Sequence, residues 1–201
     1  FELNDKQHTT TVLGLQDASE DIAISDPDPE PNEGETLQGS SGEDTLVGDA
    51  KPDSIEGGEG DDTLEGKGGE DNLDGEAGDD QLSGGQGGDT LEGGDGHDTL
   101  IGGDGNDLIK GQGQGDELDG GAGDDTLDGG TGDDQLSGGA GSDQYVLSPG
   151  EDTINGFKRG DKIILSEEMV SAGITKQDIR FEEHEHDGKQ EIDLVWNIDG
   201  I

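Results

Sequence analysis

The sequence contains no cysteine, and this absence excludes a disulfide framework and any cysteine-based zinc or redox site. Basic residues are scarce: 10 Lys and Arg face 53 Asp and Glu, so the 201-residue chain carries a net charge of −43. Such a charge repels phosphate backbones, and we therefore expect no nucleic-acid partner. No apolar run approaches the roughly 18–20 residues of a membrane span, so the sequence predicts no membrane-spanning segment.

Hydrophobic residues are also few, at 24% of the chain, and aromatic residues make up only 2%. Low hydrophobicity combined with high net charge is typical of chains that do not fold by themselves. The 41 glycines and many of the aspartates nevertheless follow a regular order along the chain. We therefore expect that something cationic completes the fold.

A nine-residue repeat organises the middle of the chain and is clearest in GGEGDDTLE (57–65) and GGDGNDLIK (102–110). An apolar residue recurs at every ninth position, namely Leu37, Leu46, Ile55, Leu64, Leu73, Leu82, Leu91, Leu100, Ile109, Leu118, Leu127, Leu136, Tyr145, Ile154 and Ile163. An aspartate stands two residues before each of these from Leu46 onward. Repeats of this kind predict a solenoid, in which each unit completes its core against its neighbours.

The unit reads G-G-x-G-x-D-x-U-x, with U an apolar residue, and it resembles the nonapeptide of RTX (repeats-in-toxin) proteins, also called hemolysin-type calcium-binding repeats. The resemblance covers roughly residues 35–165. It implies a calcium-binding β-roll of the kind found in Gram-negative bacterial proteins exported by type I secretion.

The order of residues within the unit indicates how the chain would coil. Glycines at the first, second and fourth positions allow positive φ and tight turning. The last three residues favour a short strand whose aliphatic side chain points inward. Two repeats, or eighteen residues, would then form one coil, and the coils would stack into two parallel sheets. The predicted fold class is therefore all-β: a parallel β-roll (a right-handed β-helix or solenoid) with a small β-rich C-terminal cap.

The core of such a roll is thin, with one aliphatic side chain for every nine residues. The backbone entropy lost on ordering nine residues exceeds the gain from burying one leucine. The repeated aspartates add repulsion to this deficit. A hard divalent cation would reduce both the entropy deficit and the repulsion, because it neutralises carboxylates and joins neighbouring turns.

Calcium is the metal that these repeats favour. Their ligands are all oxygens, from carboxylates and from carbonyls in glycine-rich turns, and calcium accepts six to eight oxygens in loose geometry. Magnesium requires stricter octahedra, and zinc prefers nitrogen or sulfur. The candidate ligands are Asp62, Asp71, Asp80, Asp89, Asp98, Asp107, Asp116, Asp125, Asp134 and Asp143, with Asp44, Asp53 and Asp152 as a secondary set.

Aspartates eighteen residues apart would lie on the same edge of the roll. One edge pairs Asp62/Asp80, Asp80/Asp98, Asp98/Asp116 and Asp116/Asp134; the other pairs Asp71/Asp89, Asp89/Asp107, Asp107/Asp125 and Asp125/Asp143. The resemblance implies that each ion lies between successive turns on the same side, so that these pairs predict about eight calcium ions.

Two observations leave alternatives open. Aspartate and glycine are common in turns, so the aspartates are alternatively solvated turn formers. The repeats at 48–56 and 111–119 depart from the pattern, the first through Pro52 and the second through Gln114 at a glycine position. Sites that involve Asp53 and Asp116 are therefore less regular, and Gln114 predicts either a bulge or a missing ion.

The flanks have a different composition. Residues 1–34 form an N-terminal flank that ends in a proline-rich acidic linker, residues 35–146 the calcium-binding roll, and residues 147–201 the C-terminal capping segment. In the cap, Ser166 is placed to begin a short helix that ends at Gly173. The stretch 178–197 alternates apolar and polar residues around Asp187-Gly188, and this pattern predicts a hairpin whose inner face carries Ile192, Leu194 and Trp196.

The resemblance implies a module that folds on binding calcium outside a Gram-negative cell and supports type I secretion and folding of a larger exported protein. Because the chain begins with Phe1, we expect it to be a piece of such a protein. We find no catalytic motif and expect no enzyme activity from the chain itself. The alternatives are an adhesin-like module that binds an extracellular polysaccharide or surface, and the C-terminal tail of a secreted hydrolase or epimerase.

Overall fold

The structure is a computed structural model that describes residues 34–173, 179–186 and 189–196. Apart from Gly34, the predicted N-terminal flank and linker lie outside these residues. Two parallel sheets form the described roll, and successive strands alternate between them. The predicted all-β parallel roll is therefore confirmed.

The first sheet contains the odd-numbered strands and the second sheet the even-numbered strands of the roll. The first comprises β1 (Thr36–Gln38), β3 (Ser54–Glu59), β5 (Asn72–Ala77), β7 (Thr90–Asp95), β9 (Leu108–Gly113), β11 (Thr126–Thr131), β13 (Gln144–Leu147) and β15 (Lys162–Leu165). The second comprises β2 (Thr45–Val47), β4 (Thr63–Gly68), β6 (Gln81–Gln86), β8 (Thr99–Asp104), β10 (Glu117–Ala122), β12 (Gln135–Ser137) and β14 (Thr153–Asn155).

Each coil contains eighteen residues, as the repeat predicts. Leu64 pairs with Leu82 between β4 and β6, and Leu73 pairs with Leu91 between β5 and β7. The apolar residue of every repeat from Leu37 to Ile154 is at most 2% exposed, whereas Ile163 at the end of the series is half-buried. The core is thus a single row of side chains from each sheet, enclosed between the two sheets.

The strands are longer than the three residues predicted for each repeat. From β3 to β11 each strand has six residues and runs on into the first three residues of the next repeat, as in β4 with the sequence TLEGKG. The glycines explain this difference. Those at the second and fourth positions have positive φ, such as 116° at Gly58 and 119° at Gly60, but the first-position Gly57 does not. The first glycine therefore continues the strand and does not use the positive φ that the sequence allows it.

The C-terminal end of the roll is covered by a short helix, α1 (Glu167–Ser171). Ser166 is its N-cap, and the Ser166 hydroxyl accepts a hydrogen bond from the backbone N–H of Met169 at 3.3 Å. Met169 is buried against the end of the core. Gly173, with a φ of 89°, follows the helix, as the sequence predicts.

The predicted hairpin is present as β16 (Ile179–His186) and β17 (Lys189–Trp196), which pair antiparallel with His186 opposite Lys189. β17 lies beside β14, the last strand of the second sheet. The predicted inner face of the hairpin concerns side chains outside the described residues. Among the described helices, none has the length and apolar character needed to cross a membrane.

Candidate metal sites

The candidate aspartates occupy the turns that lead into the strands. All of them are buried except the half-buried Asp44, and the ten from Asp62 onward up to Asp143 are at most 3% exposed. Solvated turn formers would be exposed, so that alternative does not describe this roll. The side chains form two ladders, one along each edge, with a step of eighteen residues.

One carboxylate oxygen of each aspartate links two neighbouring coils. The backbone N–H of Asp71 donates to Asp89 Oδ1 at 2.9 Å, and the N–H of Asp89 donates to Asp107 Oδ1 at 2.8 Å. The same bond repeats along both edges at 2.7–2.9 Å from Asp44 to Asp134. These bonds fix the direction of every side chain, so that Oδ2 of each aspartate points to an equivalent place.

The second oxygen is left without a partner through the whole middle of the roll. Oδ2 is buried and accepts no hydrogen bond in Asp62, Asp71, Asp80, Asp89, Asp98, Asp107, Asp116, Asp125 and Asp134. Buried polar groups in folded proteins are almost always paired, and an unpaired charged oxygen is the most costly exception. Nine such atoms in a regular array indicate places that a cation would occupy.

At five of these nine aspartates, the first-position glycine of the repeat is bordered both by the unpartnered Oδ2 and by a carbonyl oxygen of the next coil. A methyl group placed on Gly57 would lie 2.5 Å from Asp62 Oδ2 and 2.9 Å from the carbonyl oxygen of Gly75. The same pair of oxygens flanks Gly66, Gly75, Gly102 and Gly111. We call this space a notch. It is bounded by a first-position glycine, by the Oδ2 of the aspartate in the same repeat, and by the adjoining coil. The first position of the repeat therefore requires glycine, because any larger side chain would collide with these oxygens.

The oxygens around a notch suit calcium. Among residues 34–173 and the two described hairpin strands, no group of three or more His, Cys, Asp or Glu side chains is placed to hold a metal. Backbone carbonyls that border the notches are further oxygen atoms that the chain offers to a metal. Calcium accepts carbonyl as well as carboxylate oxygens, and it tolerates the irregular geometry that a stack of backbone turns provides. The residues present therefore fit calcium.

The ladders change at their ends. Oδ2 of Asp44 accepts the backbone N–H and the hydroxyl of Ser40, and Oδ2 of Asp53 accepts the N–H of Asp49 at 2.8 Å. At the other end, Asp143 Oδ2 accepts from Lys158 Nζ at 2.8 Å. Three of the candidate ligands thus have their second oxygen paired within the chain.

Asp152, the last member of the secondary set, closes the other edge. Its Oδ1 accepts the N–H of Asp134 at a longer 3.4 Å. Burial, followed by the nearby charge of Asp134, raises its pKa to about 7. This turn differs from the earlier ones because 147–152 lacks the first two glycines of the repeat.

Gln114 causes no bulge. It adopts a φ of 71° at the glycine position, and the eighteen-residue register continues on both sides, with Ile109 opposite Leu127 and Leu118 opposite Leu136. Asp116 keeps the common geometry, with the N–H of Asp116 donating to Asp134 Oδ1 at 2.8 Å. Of the two alternatives predicted for Gln114, a bulge or a missing ion, the bulge is therefore wrong, and Asp116 retains a notch like its neighbours.

Burial raises the pKa of the ladder carboxyls. The pKa rises from 3.8 to about 7 in Asp80 and Asp116, and to about 6 in Asp62, Asp71 and Asp125. Desolvation is the largest cause, the N–H donor of the preceding coil opposes it, and neighbouring carboxylates raise the pKa further. Without a cation the folded roll therefore favours neutral carboxyls.

This shift predicts a pH dependence in calcium-free buffer. Because the pKa values are higher in the folded than in the unfolded chain, the folded state binds more protons, and its stability falls as pH rises through about 6–7. Acidifying the chelated protein from about pH 8 to about pH 5 should therefore increase its β-structure in circular dichroism. A chelated spectrum that stays constant over this range would contradict the prediction.

A second prediction concerns the space in the notch. In Gly66→Ala the added methyl would lie against Asp71 Oδ2 and 2.8 Å from the carbonyl oxygen of Gly84. Crowding of this kind costs about 1–3 kcal/mol, so the calcium midpoint measured by circular dichroism should rise. Gly68→Ala is the matched control in the same repeat, since its methyl would have no atom nearer than 3.7 Å. Equal midpoints for the two variants would show that the notch is not where calcium binds.

The sequence did not reveal two participants in these sites. The repeat predicts carbonyl ligands only as a general set, without assigning them to first-position glycines, and it assigns no role to Lys158. The sequence feature that could have identified Lys158 is its position three residues before the in-phase Asp161, in a turn that keeps the nonapeptide spacing.

Comparison with known proteins agrees with this geometry. The profile of the RTX calcium-binding nonapeptide repeat matches in overlapping copies at 38–73, 56–91, 83–118, 92–127, 110–145 and 119–154. Together these copies span 38–154, more than half of the chain and all nine unpartnered carboxylate oxygens. The comparison with curated proteins gives no match. The chain therefore belongs to the family of RTX calcium-binding nonapeptide repeat proteins.

Proposed function

We propose that this chain is a calcium-dependent folding module of a larger exported protein, and that it folds only after reaching the calcium-rich exterior of a Gram-negative cell. The observation that carries the proposal is the row of nine buried Asp Oδ2 atoms without a partner. The chain itself has a structural role, and we assign it no catalytic residue.

The array of unpaired carboxylates supports coupling between folding and metal binding. Burying a carboxylate without a partner costs several kcal/mol after relaxation, and the roll repeats this cost along both edges. Bound calcium would supply the compensating charge, held by the notch oxygens of two successive coils. The oxygens of a notch come together only in the folded roll, so the free energy of calcium binding becomes free energy of folding.

The charge of the chain supports the behaviour proposed before export. At −43, the unfolded chain repels itself and stays extended, as passage through a type I secretion channel requires. Sites of the extracellular class have dissociation constants of about 10⁻⁴–10⁻³ M and remain empty at cytosolic calcium levels. The proposed partners are therefore calcium and, through the larger protein, the type I secretion machinery.

A calcium titration followed by circular dichroism tests this proposal. We expect a cooperative gain of β-structure with a midpoint of about 10⁻⁴–10⁻³ M, the range of extracellular calcium modules. A midpoint below about 10⁻⁶ M would contradict the export role, because sites that tight belong to the range of intracellular calcium sensors and buffers. Absence of any calcium-dependent change would contradict the calcium-binding function itself.

A further inference from the structure

The notch of Asp143 differs from the nine before it because a side chain of the protein fills it. Lys158 Nζ donates to Asp143 Oδ2 at 2.8 Å and to the carbonyl oxygen of Gly139 at 2.7 Å. The ammonium also lies 3.5 Å from Asp161 Oδ1. One positive charge thus contacts two carboxylates and one backbone carbonyl, which come from two successive coils of the same edge.

The two carboxylates belong to the same ladder as the unpartnered ones. The N–H of Asp143 donates to Asp161 Oδ1 at 3.1 Å, which is the bond that joins every earlier pair of coils. Asp143 Oδ2 is therefore the counterpart of the nine Oδ2 atoms that lack a partner. What distinguishes Asp143 Oδ2 from these atoms is the lysine ammonium that lies against it.

Several contacts hold Lys158 in place. Its own backbone N–H donates to Asp161 Oδ2 at 2.8 Å, and the N–H of Asp161 donates to the carbonyl of Lys158 at 3.1 Å. The preceding residue, Phe157, packs against the ring of the buried Tyr145 with the centroids 5.9 Å apart. The side chains of Asp143 and Asp161 are fully buried and that of Lys158 is 35% exposed, so this ion pair is better shielded from water than a surface pair, which would contribute little.

We propose that the Lys158 ammonium is an internal cation that occupies the last position of this edge in place of calcium. It closes the ladder of Asp71, Asp89, Asp107, Asp125 and Asp143 without metal, at the junction between the roll and its C-terminal end. The inference rests on the proposed calcium-binding function, because it assigns which of the equivalent positions takes the metal. The edge that ends at Asp152 has no such lysine and closes through a long hydrogen bond from Asp134.

Because Lys158 lies near the C-terminal end of the roll, its ammonium affects where folding of the roll begins. Folding of a solenoid starts from any region whose neighbouring units are already stable. A covalently attached cation is present at every calcium concentration, so the coils joined by Asp143 and Asp161 are compensated before any metal binds. Calcium binding would then extend the ordered roll from this end.

Counting bound ions in a variant without the ammonium tests the proposal. Lys158→Ala, in the full chain, removes the amine and leaves Asp143 Oδ2, Asp161 Oδ1 and the Gly139 carbonyl facing the same space. We expect this variant to bind one more calcium per chain than the original protein in equilibrium dialysis, and to need more calcium to reach its folding midpoint. Lys158→Met retains the aliphatic stem and should show the same raised midpoint if the charge is what matters.

Arg159→Ala is the matched control, since Arg159 is the neighbouring base, is exposed, and carries the same charge. It should leave both ion count and midpoint unchanged. An unchanged ion count in Lys158→Ala would overturn the inference, even with a raised midpoint, since Lys158 would then be an ordinary structural ion pair. If the original protein binds no calcium, the proposed function fails instead, so the two failures are distinguishable.

Discussion

In excess chelator at neutral pH, the chain should give the circular dichroism spectrum of a largely disordered protein, and saturating calcium should convert it to β-structure. The reason is the combination of a thin core with nine buried carboxylate oxygens that have no partner. Neither burial of one aliphatic side chain per repeat nor backbone hydrogen bonding offsets the desolvation of these charges. This is the largest effect that we expect, since it separates the folded from the unfolded state of residues 38–154.

Magnesium at the same concentration is the control for this result. Magnesium dehydrates reluctantly and requires near-octahedral geometry, which a notch built from one carboxylate oxygen and backbone carbonyls does not impose. We expect no comparable gain of β-structure with magnesium. A well-folded spectrum in chelator, or equal folding by the two metals, would contradict the calcium mechanism.

Asp89→Asn should strongly impair calcium binding in the middle of one ladder, although it leaves the shape of the side chain unchanged. The asparagine can keep the acceptor for the Asp71 N–H, but it replaces the unpartnered Oδ2 with an amide NH₂. Since Asp89 belongs to the Asp71/Asp89 and Asp89/Asp107 pairs, we expect one or two fewer bound calcium ions. Because ligand charge tunes calcium affinity, the folding midpoint should rise by about tenfold or more.

Asp95→Asn provides the matched control for that substitution. Asp95 is exposed at the end of β7, outside the ladder, and its replacement removes the same formal charge. Both the ion count and the midpoint should remain close to those of the original protein. If Asp89→Asn and Asp95→Asn behave alike, the aspartates act only through their overall negative charge, and the notches are not binding sites.

Much of the fold was predictable because the repeat has a single phase. The nine-residue spacing of Leu64, Leu73 and Leu82 determines which side chains face the core, and the parallel register of eighteen residues follows from two repeats per coil. The aspartate two residues before each of these leucines then falls in a turn on an edge. The hairpin around Asp187-Gly188 and the helix N-cap at Ser166 were predictable from local sequence signals that are equally direct.

The parts that escaped prediction depend on atoms that a repeat pattern does not distinguish. Glycines at positions one and two look alike in sequence, yet Gly58 requires its φ of 116°, whereas Gly57 is needed because Asp62 Oδ2 occupies the space of a side chain. The division of each carboxylate into a paired and an unpaired oxygen appears only once the coils are stacked. Lys158 reaches Asp143 across two coils, and no local signal in the sequence connects them.

The most direct measurement is a crystal structure of the calcium-loaded protein with anomalous scattering collected to locate calcium. We expect two rows of about eight ions in all, each beside the Oδ2 of one aspartate from Asp62 to Asp125 and between that coil and the next on the same edge. Asp134 also has an unpartnered Oδ2, but we expect no ion there, because the next coil on its edge has Leu147 at the first-glycine position. We also expect no calcium peak at Asp143 Oδ2, where the Lys158 ammonium lies. Calcium peaks found only on exposed carboxylates, with the buried Oδ2 atoms still unpartnered, would contradict the proposed calcium sites.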